Sequence, residues 1–173
     1  MTLACGCVLA ASLLAAIADL RTRRIPNALA GVLFASGLAL NVFSGWHAAA
    51  ADLLLVAAVI LAGTVAFSLK LIGGGDVKLL AAAAGTLAYP AGVEFLLLTL
   101  CCGGVLAAVY AAMRGRLAAT LFNVRAMALP VFAGVAPARP QAGLAMPYAV
   151  AIFAGALCTA LVNGFLPHLR FLP

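Results

Sequence analysis

The chain has 173 residues, of which 67% are apolar and 8% charged, an apolar share far above the roughly half expected of a soluble globular domain. A spanning helix uses about 20 mostly apolar residues, so six would take about 120 and leave no room for a separate soluble domain. Ten Lys and Arg against four Asp and Glu give a net charge of +6, which in such a chain is first a topology signal, and no nucleic-acid partner is expected.

The first apolar stretch, Leu3–Ala18, has no basic residue before it and Arg21, Arg23 and Arg24 after it. That order is wrong for a cleaved secretory signal, so the stretch is expected to stay as the first span with its N-terminus outside. The second stretch, Ala28–Phe43, follows Ile25-Pro26-Asn27, and the third is Leu53–Leu69. The fourth, Val77–Tyr89, has 13 residues and as a helix rises only about 20 Å against a hydrocarbon core of about 30 Å. The preceding Gly73-Gly74-Gly75 is not expected to be helical, and non-helical backbone at membrane depth needs protein or a water-filled cavity beside it. The fifth and sixth stretches are Val93–Met113 and Leu144–Leu166. The expected fold is therefore all-α, a single integral-membrane domain over residues 1–173 with about six transmembrane helices.

With alternating crossings, the inner segments hold Arg21, Arg23, Arg24, Lys70, Lys78, Arg114, Arg116, Arg125 and Arg139, and the outer ones only Arg170. This is a strong positive-inside asymmetry, and it weakens sharply if the short fourth stretch fails to cross. The longest connection runs from Arg114 to Gly143. Within it Leu117, Leu121, Val124 and Ala128 recur at helical spacing, which predicts an interfacial amphipathic helix ending before Pro130; a lid or substrate-guiding role is the expectation for it. The basic residues of the inner loops have contact with anionic lipid as a second role. Cys5, Cys7, Cys101, Cys102 and Cys158 lie in apolar stretches with no C-x-x-C pair, so neither a metal site nor a disulfide framework is expected.

The four acids divide between the two faces: Asp52 and Glu94 outside, where they read as ordinary boundary residues, and Asp19 and Asp76 inside. Asp19 ends the first stretch and Asp76 begins the fourth, on different helices but at the same face. Two close carboxylates in a partly desolvated site share a proton, so one can take a proton from water while the other donates to a carbonyl oxygen. Taken singly, Asp19 is an ordinary helix end, Asp76 an ordinary N-cap residue, and the glycines ordinary close packing. Their coincidence at one face favours chemistry, because glycines let an extended substrate backbone approach a dyad closely. His47 and His168 fall on the other face, and no serine or zinc signature is present.

At these residues the chain resembles a known family. Asp19 with Arg21, Ile25, Pro26 and Asn27 resembles the D-x-R-x-x-x-I-P-N segment of the bacterial type IV prepilin peptidases. Gly73-Gly74-Gly75-Asp76-Val77-Lys78 resembles their G-x-G-D-x-K segment, and Met146-Pro147-Tyr148-Ala149 with Gly155 resembles the opening of their last helix. The resemblance implies a multi-spanning aspartic endopeptidase of the bacterial inner membrane, with Asp19 and Asp76 catalytic. It further implies Gly73, Gly74, Gly75, Lys78, Arg21, Pro26 and Asn27 as substrate-binding residues. The implied partners are prepilin or pseudopilin precursors and membrane lipid, the cleavage lies at the cytoplasmic face, and no cofactor is required. The chain lacks the paired C-x-x-C insertion of the long members, which also methylate their product. It is thus similar to the short Tad-type peptidases of Flp-class pilins, with no methylation expected. The rival readings are a small proton-coupled transporter or channel that relays ions through the inner carboxylates, and a non-catalytic partner in secretion assembly.

Overall fold

A computed structural model of the chain describes residues 2–23, 25–41, 45–69, 72–115, 122 and 148–165. Among them the regular structure is entirely helical: α1 (Thr2–Thr22), α2 (Asn27–Asn41), α3 (Trp46–Ser68), α4 (Gly74–Leu87), α5 (Ala91–Met113) and α6 (Tyr148–Phe165), one for each apolar stretch. Leu3–Thr22, Trp46–Ser68 and Ala91–Met113 are long and apolar enough to cross a membrane, whereas Asn27–Asn41 and Tyr148–Gly164 are shorter apolar helices. The amphipathic helix expected around Leu117–Ala128 lies outside the described residues, as does the opening Met146-Pro147 of the last motif.

Two boundaries differ from those read off the apolar runs. Helix α3 starts at Trp46, well before Leu53, because Ala48–Ala51 are strong helix formers. The glycine run is mostly helical: Gly73 is the N-cap and Gly74 and Gly75 open α4. The first amides of a helix have no intrahelical acceptor to lose, so glycine weakens a first turn less than an interior one.

The chain forms two compact units, residues 1–103 with 147–173, and residues 104–146. In the first, the shortest helix is the central one. Most of α4 is buried, including Leu79, Leu80, Ala81–Ala84 and Leu87, and it packs against α2, α3 and α1, while α1 also packs on α6. Small residues make these approaches possible. A Cβ built on Gly37 of α2 would come within 2.7 Å of the Thr86 Cα on α4, and one on Gly63 of α3 would meet the Val77 side chain. Thr86 fastens the α2–α4 contact, its hydroxyl lying 3.0 Å from the Leu33 carbonyl and 2.8 Å from that of Ala82. Asn41 donates to the Gly85 carbonyl at 3.0 Å at the same end. By contrast α3 touches only α4 strongly and leaves Leu53, Leu54, Leu61 and Phe67 exposed, the surface expected of a helix facing lipid.

In the second unit, α5 ends with Arg114 folded back on its own helix. The guanidinium lies 4.8 Å from the Tyr110 ring centroid and donates to its hydroxyl at 2.7 Å, a cation placed where the helix dipole favours it.

Candidate active site

Helix α1 does not stop at Asp19 but runs one turn further, to Thr22. It ends because Arg23 takes a left-handed conformation, φ 52°, which closes the last turn with a bond from the Arg23 N–H to the Asp19 carbonyl at 2.9 Å. The chain then turns through Ile25 and Pro26, whose carbonyl accepts from the Leu29 N–H at 3.0 Å in the first turn of α2. Proline fits there because its missing N–H would have no helical partner. Asp19 thus projects from the last turn of α1 and is half-buried, while Arg21, Pro26 and Asn27 are exposed.

On α4, Asp76 is the third residue after the Gly73 N-cap. From that position its carboxylate bends back over the helix start beside Gly73, the direction an acidic residue takes in a capping box. Gly73 has to be bare for this: a Cβ there would lie 2.8 Å from the Asp76 Oδ2. The other oxygen, Oδ1, is buried and has no hydrogen-bond partner among the described residues.

The two motif segments meet in space. A Cβ on Gly75 would lie 3.2 Å from the Ile25 Cβ, and Lys78 Nζ donates to Asn27 Oδ1 at 3.2 Å. Across this junction Asp19 comes close enough for its charge to be felt at Asp76. Gly74 faces the Phe67 ring of α3, which a Cβ would approach to 3.5 Å. The structure therefore brings Asp19, Asp76, the three glycines, Asn27 and Lys78 to one end of the helices. Arg21, in the last turn of α1, and Pro26, on the connection that follows, are exposed at the same end.

A family model for the type IV leader peptidase family matches residues 7–108, which include both motif segments. The chain belongs to the type IV leader peptidase family. Membership makes the protein a peptidase, and its apolar helices suit a membrane protein. No curated protein and no solved structure gives a significant match.

One residue near this candidate site was not singled out as a site residue from the sequence. Tyr148, at the start of α6, is half-buried and within electrostatic reach of Asp76. Its ring lies over α5, where a Cβ on Gly103 would come 3.4 Å from it. The signal was present in the Met146-Pro147-Tyr148-Ala149 segment, but nothing in the sequence says that α6 begins beside α4. Glu94, expected at a boundary, stands in the first turn of α5 and is buried there, with 2% exposure.

Proposed function

We propose that this leader peptidase is an aspartic endopeptidase that removes leader peptides from type IV prepilins of the Flp class at the cytoplasmic face of the bacterial inner membrane. The observation that carries the reading is the approach of Asp19 and Asp76 from two helix ends, with an Asp76 oxygen unpartnered beside the glycines. In the reaction the ionised carboxylate of the pair takes a proton from water, and the resulting hydroxide oxygen bonds to the scissile carbonyl carbon. The protonated partner gives its proton to the carbonyl oxygen. Collapse of the diol breaks the carbon–nitrogen bond: the leaving amine takes the proton held by the first carboxylate, and one diol hydroxyl returns its proton to the second, which releases the new carboxyl group and restores the pair. The Lys78–Asn27 bond braces the two segments that carry the acids, and the glycines leave room for an extended leader backbone.

The reading extends to topology: six crossings with the N-terminus outside, a single domain, and the dyad at the inner face, supported by nine of the ten basic residues lying in the inner segments. Lipid and the precursor are the partners, and no cofactor enters the reaction. Purified protein should cut a prepilin between its leader and its hydrophobic segment, with the site located by mass spectrometry. Asp19→Asn and Asp76→Asn should each lower the rate about 10²–10⁴-fold, with unchanged membrane insertion. Cleavage that survives both single changes rules out the dyad.

A further inference from the structure

Away from the dyad, α5 and α6 are joined by a second buried polar group. Glu94 in the first turn of α5 is 2% exposed, and its Oε2 accepts from Asn163 Nδ2, in the last turn of α6, at 3.2 Å. The same Nδ2 lies 3.0 Å from the Thr159 carbonyl, so both sides of that bond are committed. The remaining oxygens of the pair, Glu94 Oε1 and Asn163 Oδ1, are both buried and have no donor among the described residues. Thr99 Oγ1, 1% exposed and also unpartnered, lies farther along the same interface, where Gly155 gives it room.

We propose that Glu94 and Asn163 form a binding site for a small monovalent cation of the sodium class. Two buried acceptors left without a donor on residues that are bonded to each other need positive charge or a donor beside them, and among the described residues no basic side chain is paired with Glu94. A water molecule would satisfy the hydrogen bonds but leave the carboxylate charge unbalanced in an apolar surrounding, which is the costly part. All the available donors are hard oxygens, which select hard cations over thiophilic metals. A single carboxylate is neutralised by one positive charge, whereas a divalent ion would leave an excess. The end of α6 contributes in the same sense, since the C-terminal carbonyls of a helix favour a cation. Entry is from the helix ends, where Asn163 is half-buried and Gly164 exposed.

The test is thermal unfolding of the detergent-solubilised full chain at equal ionic strength in sodium chloride, N-methyl-D-glucamine chloride or magnesium chloride. Sodium should raise the Tm saturably, by about 3 °C at a tenfold excess over its Kd. Glu94→Gln should be indifferent to sodium and melt at least as high as the native chain in N-methyl-D-glucamine, because a glutamine amide can donate to Asn163 Oδ1. Asn163→Ser should raise the sodium midpoint about tenfold or more, and gives a reading if the first variant does not fold. Asp76→Asn should keep the whole sodium response, which separates this site from the dyad. Equal Tm values in sodium and N-methyl-D-glucamine, a Tm that follows pH alone, a response to magnesium but not sodium, or an unchanged response in Glu94→Gln would each overturn the proposal.

Discussion

Gly73 shows how little room a single side chain has at the dyad. An alanine there would place its methyl 2.8 Å from Asp76 Oδ2, well inside van der Waals contact, and the carboxylate would have to move away from residue 73. Gly73→Ala should therefore lower kcat far more than it lowers Tm, and steady-state kinetics beside thermal melting would separate the two. Gly75→Ala meets the Ile25 Cβ at 3.2 Å, a contact a small shift relieves, so its effect should be milder and similar in both measurements. Lys78 and Asn27 are both exposed, so Lys78→Met should change stability by no more than about 1 kcal/mol. Any larger loss of activity then reports on the alignment of the two segments. Arg23 sits at φ 52°, where a non-glycine residue costs about 1–2 kcal/mol; Arg23→Gly should be tolerated or slightly stabilising in urea melts.

The helices themselves were legible in the sequence because apolar runs separated by charge, glycine and proline leave few choices. The two acids were legible because an acid is conspicuous where nearly every neighbour is apolar. What the runs could not show is which helix is central. The small α4 is rich in alanine and glycine, a composition that fits an exposed linker as well as a buried helix. It is the Gly37–Thr86 and Gly63–Val77 fits, made of residues far apart in the chain, that decide. The burial of Glu94 was hidden for a related reason: sequence places it near a boundary, as the start of α5 bears out, but says nothing of the return of Asn163 on α6 beside it. These helix pairings can be tested directly. Gly37→Ala forces a methyl against the Thr86 backbone and should destabilise by about 1–3 kcal/mol. Thr86→Val, which loses the bond to the Leu33 carbonyl, should cost about 1 kcal/mol. Cys102 on α5 and Cys158 on α6 have their sulfurs 3.9 Å apart, so a thiol oxidant should link them in the full chain. Failure to link would count against the α5–α6 pairing.

Across the whole molecule, the proposed orientation predicts that a cysteine at Gly45 is labelled by an impermeant maleimide from outside intact cells, and one at Gly115 only after lysis. The shortness of α4 has a consequence at this scale as well. Its 14 residues span about 21 Å, against a hydrocarbon core of about 30 Å, while α3 and α5 have 23 residues each. In the proposed topology such a helix cannot reach both surfaces, and the proposed reaction then requires water and the leader to descend to Asp76 through the headgroup region. Lipid acyl-chain length then becomes a determinant of turnover. Reconstituted into bilayers of progressively longer chains, the enzyme should slow as the dyad sinks away from the aqueous boundary, although its longest helices remain matched.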